Sequence, residues 1–404
     1  MKKIALFGLC LAVAASASAQ TSLVKEAERE AKAKNYEKAM TMIEPAFSNP
    51  ETSGSAYTYF VPGKAGIDMY TDLYAQTLIG KQVDKKKMGH ALIDGFGYLI
   101  KALPLDSVPD AKGKIKPKYS KNIVKMIDEN HKYLYDAGVA LFMDAKDYQG
   151  AYDAWELYST LPDNPALGKN APKALPDTII ADVFYNQALA AWQLENLELS
   201  LASFEKAIAK GYDKPQAYDY AINHAARLGK NEKVYELANT AYDKFGNANP
   251  LYLQLKINGL IDNKKYDEAA EFLNNAIAEK PEESQLYLIQ GILYETLKDN
   301  VKAKQSYLTA TQKDEENADA LYNYARLLCN EAYALNDEAQ NKNLSNAEFT
   351  ELRTSKIDPL FKTASEYLEK ALAINPDNRD VRTYLRNVYY NLGDEENLKR
   401  IENM

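Results

Sequence analysis

At 404 residues the chain exceeds what one ordinary hydrophobic core serves, so it holds either several domains or a stack of small units that each meet only their neighbours. Acidic residues outnumber basic ones, 57 to 49, for a formal charge of −8, and no basic stripe of the kind a nucleic-acid binder needs stands out in the sequence. The chain has two cysteines, Cys10 and Cys329.

Residues 1–19 differ from the rest of the chain: Lys2 and Lys3 precede the apolar run from Ile4 to Ala15, and Ser16-Ala17-Ser18-Ala19 come before Gln20. That charged, apolar, small order predicts a secretory signal peptide cleaved after Ala19 and a mature chain that is periplasmic or secreted. The apolar run is too short for a transmembrane anchor, and no second one occurs later in the chain. Cys10 lies inside the run behind Leu9, a poor context for lipidation, and cleavage leaves Cys329 without an intramolecular disulfide partner.

Residues 20–159 read as divergent helical hairpins. The first, around NYEKA at 35–39, sets Ala27, Tyr36, Ala39, Ile43 and Ala46 on inward faces. In the second, Pro62 is expected to break or kink an aromatic-rich helix, while Gly95 and Gly97 permit close packing of the next one. Residues 104–118, with three prolines, read as a loop. One long helix is expected from about Lys121 to Ala145, followed by a helix carrying Tyr148, Ala151 and Trp155. A proline-rich loop over 160–177 is the expected internal boundary.

From residue 178 to the C-terminus the pattern becomes regular. Tyr287, Gly291, Tyr294, Ala303, Tyr307 and Ala310 each stand 34 residues beyond Leu253, Ile257, Leu260, Ala269, Leu273 and Ala276. Ala188, Ser200, Phe204 and Ala207 mark the same places earlier in the chain, as do Leu321, Ala325 and Leu328 later. The later copy is split by an insertion at about 330–357, expected to lengthen its helices, and a polar half-unit with Tyr389 and Gly393 caps the C-terminus. This period, with small residues at the eighth, twentieth and twenty-seventh places and bulky ones between, resembles the tetratricopeptide repeat of exported bacterial proteins. The resemblance implies an all-α fold, a right-handed superhelical α-solenoid of stacked hairpins, and non-enzymatic binding of a partner protein or extended peptide in its concave groove.

Within that resemblance the first helix of each unit lines the groove. The inward places then give Tyr185, Trp192, Asn223, Arg227, Gln254, Asn258, Tyr322 and Arg326 as partner-binding candidates, with Asn223 and Asn258 at the ninth place of successive units. The fifth places carry no lysine, which argues against a clamp for a C-terminal carboxylate. A glycan- or nutrient-binding component of an outer-membrane uptake system is the alternative. His90, His131 and His224 stand singly, without the ligand spacing of a metal site, and no phosphate loop or nucleophile elbow occurs, so no cofactor, metal or catalytic group is expected.

Overall fold

A computed structural model describes residues 22–109, 112–246 and 249–404; the signal-like segment lies outside them. Among the described residues the regular structure is helical throughout, with no strand, and the fold is an all-α solenoid of helical hairpins. By its contacts the chain divides into two units, one ending at Val234 and one beginning at Tyr235.

Seven of the described hairpins share one turn. Lys34, Lys146, Glu195, Gly229, Lys264, Lys298 and Gly393 all have positive φ, and each stands two residues before the second helix of its pair. Around Lys298 the backbone closes as a Schellman motif: Lys298 N–H donates to Glu295 O at 2.9 Å and Asp299 N–H to Tyr294 O at 2.9 Å, satisfying carbonyls the helix end would orphan. At several of these turns the side chain of the next residue then caps the following helix. Asp299 accepts from Lys302 N–H, Asn196 from Leu199 N–H and Asp394 from Asn397 N–H. One helix is thus stopped and the next started within four residues, the local device that makes each hairpin.

The first unit holds α1 (22–32), α2 (Tyr36–Ser48), α3 (Ala56–Leu78), α4 (Lys85–Asp106), α5 (Ser120–Asn130), α6 (Tyr133–Met143), α7 (Tyr148–Thr160), α8 (Asp177–Gln193), α9 (Leu197–Ala209) and α10 (Pro215–Arg227). The sequence expectations need correction at four places here. α3 runs unbroken through Pro62, because twelve of its residues are buried and that burial outweighs the roughly 3 kcal/mol an interior proline costs. α4 continues past Pro104 to Asp106, whose buried carboxylate accepts from the backbone N–H groups of Lys118, Tyr119 and Ser120 and so pins the far end of the loop. The expected long helix over 121–145 is interrupted at His131 and Lys132, where the buried His131 ring bonds the Tyr158 carbonyl at 2.8 Å. Gly95 does allow close packing, since a Cβ at the facing Gly66 would meet Gly95 Cα at 2.9 Å; Gly97, by contrast, faces open space.

In the proline-rich segment, Leu161 and Leu167 are buried in the same core as Trp155, Tyr158 and Val183, which joins α7 to α8.

The second unit contains α11 (Asn231–Phe245) from Tyr235 onward, α12 (Pro250–Asp262), α13 (Tyr266–Glu279), α14 (Ser284–Thr296), α15 (Asn300–Lys313), α16 (Ala318–Asn341), α17 (Asn346–Leu352), α18 (Asp358–Ile374), α19 (Arg379–Leu392) and α20 (Glu395–Glu402). Ala303, Tyr307, Ala310 and Ala320 form one buried cluster, and Leu253, Ile257, Ala269 and Leu273 another. Residues 330–357 carry α16 on to Asn341, then form α17 and a π turn over Arg353–Ile357. Cys329 is a buried thiol whose pKa burial pushes up to about 12, which makes it a small apolar side chain in practice.

Candidate partner-binding surface

The eight candidate residues fall in both units. In the second, Gln254 and Asn258 are half-buried on α12, and neither side chain hydrogen-bonds a described residue. Tyr322 stands edge-on to Tyr384, with ring centroids 5.7 Å apart. Arg326 is committed elsewhere: its guanidinium donates to Glu295 at 2.5 Å and to Asn323 at 3.1 Å, and the same Glu295 oxygen accepts from the Tyr307 hydroxyl at 2.6 Å. This arginine fastens α16 to α14 and α15.

In the first unit the candidates differ sharply from one another. Tyr185 is half-buried and stacked on Tyr212 at 4.5 Å and 8°, with its edge toward Phe204, so its ring is part of the packing. Burial raises the pKa of its hydroxyl. Trp192 lies 5.0 Å from Tyr220 and 4.9 Å from His224, nearly perpendicular to the latter. Asn223 and Arg227, four residues apart on α10 and therefore on one face, are both exposed. Neither side chain makes a hydrogen bond or ion pair with the described residues.

Next to them opens a cleft of about 590 Å³ lined by Trp192, Gln193, Glu195, Leu197 and Arg227. Glu195 is placed there by the hairpin turn, since its left-handed backbone lets its N–H reach Trp192 O at 2.8 Å. Beneath the cleft sits His224, fully buried among Trp192, Phe204 and Tyr220, with neither ring nitrogen bonded to any described group. Burial first, and the nearby Arg227 charge second, lower its pKa, so the ring is neutral at pH 7.

Tyr220, His224 and Glu195 are not among the residues that the repeat pattern nominates. A signal for His224 is nonetheless present in the repeat: it occupies the tenth place, whose counterparts Ala190, Leu293 and Leu327 are all buried. Glu195 has a signal too, as it stands 34 residues before Gly229 at the same turn position.

Residues 181–209, which hold most of α8, all of α9 and Trp192, match the tetratricopeptide repeat family. The chain contains tetratricopeptide repeats. Among curated proteins none matches it in sequence. Solved structures similar to it include a TPR repeats protein from Bacteroides fragilis, 19% identical, covering 64% of this chain and 98% of that one at a TM-score of 0.33. MamA from Desulfovibrio magneticus is 15% identical over 49% of this chain and 97% of its own, with a TM-score of 0.33. YrrB, a TPR protein with an unusual peptide-binding site, is 20% identical over 50% and 89%, with a TM-score of 0.31. Among the described residues no group of three or more His, Cys, Asp and Glu is placed to hold a metal ion, and no helix is long and apolar enough to cross a membrane.

Proposed function

We propose that the chain is an exported interaction scaffold that holds a partner protein or an extended peptide segment along the first helices of its repeats. Export rests on the order of residues 1–19, ending Ala17-Ser18-Ala19. Binding rests above all on the exposed pair Asn223 and Arg227, whose polar groups have no partner among the described residues while other charged side chains, such as Arg326 and Arg400, are engaged in fastening helices together. Unengaged amide and guanidinium groups on a rigid helix are suited to a backbone or an acidic side chain.

The test is affinity capture from the envelope fraction with the mature chain as bait, followed by titration of the purified partner against Asn223→Ala. Loss of one hydrogen bond should weaken binding by about two- to tenfold, with helicity and melting unchanged. Equal binding by parent and variant refutes the assignment of the partner to this face, and N-terminal mass spectrometry that finds Met1 retained refutes export.

A further inference from the structure

The cleft beside Trp192 carries more chemical information than the rest of the surface, because its donors and acceptors do not balance. The Arg227 guanidinium presents five N–H donors and forms no ion pair with any described residue. The Trp192 indole N–H likewise has no described acceptor, whereas the indole of Trp155, the other tryptophan, donates to Tyr135 O at 3.2 Å. Trp192 is also packed from α10, with Tyr220 and the buried His224 at 5.0 and 4.9 Å, which restricts the ring before any ligand arrives. A forked cation and an indole residue lining one cleft match the two oxygens and spare lone pairs of a carboxylate better than they match a neutral amide. Glu195, on the wall of the same cleft, adds a negative charge that repels a run of acids and attracts a cation next to the bound one. The volume of about 590 Å³ holds more than one side chain.

We propose that this cleft selects a single aspartate or glutamate side chain followed by a basic residue in an extended partner segment, the carboxylate meeting Arg227 and Trp192 and the cation meeting Glu195. The inference rests on the scaffold reading above and specifies what its ligand must carry.

The probe is a blocked pentapeptide, acetyl-Gly-Ala-Asp-Lys-Gly-amide, titrated into the ¹⁵N-labelled mature chain while the Trp192 indole resonance is followed, assigned by its loss in Trp192→Phe. Saturable movement of that resonance is expected, with the asparagine counterpart binding at least about tenfold more weakly. Arg227→Gln should abolish the difference between the two peptides, and because Arg227 is exposed the variant keeps its circular dichroism and melting. Glu195→Gln should weaken the peptide with lysine and leave one with alanine in its place unchanged. Equal binding of the aspartate and asparagine peptides, or no movement of the Trp192 resonance at peptide solubility, overturns the proposal. Should a captured partner lose affinity with Asn223→Ala but not with Arg227→Gln, the scaffold reading survives and this one fails; should neither change matter, both fail.

Discussion

Replacing Gly291 by alanine should destabilise the second unit, yet stabilise it once Tyr307 has been shortened. A Cβ at Gly291 would lie 2.3 Å from Tyr307 Cε1, where ordinary contact is 3.4–4 Å, so the ring must move by about 1 Å. It has little room, being fully buried with its hydroxyl bonded to Glu295 at 2.6 Å, and Glu295 in turn held by Arg326. Overpacking of this kind costs about 1–3 kcal/mol, from which the helix-propensity gain of about 1 kcal/mol for glycine to alanine must be subtracted, leaving a net loss of up to about 2 kcal/mol. Tyr307→Leu alone should cost about 2–4 kcal/mol through the lost volume and the lost bond to a carboxylate. In that background the clash is gone and only the propensity gain remains, so Gly291→Ala should then add about 1 kcal/mol of stability.

The chain has already made the same exchange elsewhere: the equivalent pair is Ile257 with Leu273 one repeat earlier, both buried. Urea denaturation of the four proteins followed by circular dichroism, with hydrogen exchange of the α14 and α15 amides to localise the loss, measures the cycle. Single costs that add to within about 0.5 kcal/mol would show that the two residues do not share a space.

Ala303 is fully buried against Tyr307, so Ala303→Leu should cost about 1–3 kcal/mol while the same change at the exposed Lys302 costs little; equal melting temperatures would mean that the face is misassigned. Lys298 has φ of 62°, where a side chain is strained, and Lys298→Gly should raise stability by about 0.5–1 kcal/mol even though glycine loosens the unfolded chain; a lowered denaturation midpoint would refute this. His224 has a pKa lowered in the folded state by burial and then by Arg227, so its neutral form contributes full stability above the unfolded value near 6.5 and loses it as pH falls from there toward the folded value. His224→Leu should therefore raise stability by about 1 kcal/mol at pH 7 by removing two orphaned ring nitrogens, and should widen that advantage at pH 5, as read from parallel melts.

Much of the fold is legible because the repeat states it several times. The offsets of 34 residues place Ile257, Leu273, Gly291, Ala303 and Tyr307 in the core from spacing alone, and the structure buries all five. What the spacing does not show is tertiary override in the divergent first unit. Pro62 and Pro104 are helix breakers by every local rule, and only the packing around α3 and the Asp106 carboxylate explains why their helices continue. The break at His131 has a similar origin, since its ring is drawn to a carbonyl on α7 that lies 27 residues away in sequence. For the binding surface, the sequence places residues on a helix face but does not say which are already engaged. Asn323 and Glu295 hold Arg326, and no spacing rule announces the pairing across 31 residues that ties Arg326 to Glu295.

That difference between engaged and unengaged groups decides where function should be sought. A hairpin array must bury its eighth, twentieth, twenty-fourth and twenty-seventh places in order to exist, so those residues report on stability and little else. The inward places of the first helices carry no such duty, and a polar group there that nonetheless bonds its own chain, as Arg326 does through Glu295 to Tyr307, has been recruited to the fold. Arg227, at the thirteenth place on α10, is an inward arginine that has not been recruited in this way, and beside it the fold tolerates a fully buried histidine with both nitrogens unbonded. An unsatisfied buried ring costs about 1–3 kcal/mol that Leu293 and Leu327, at the same place in later repeats, avoid. A stability cost carried by a buried ring packed against Trp192, which lines the same cleft as the unengaged Arg227 guanidinium, supports the proposal of a ligand site there over packing alone.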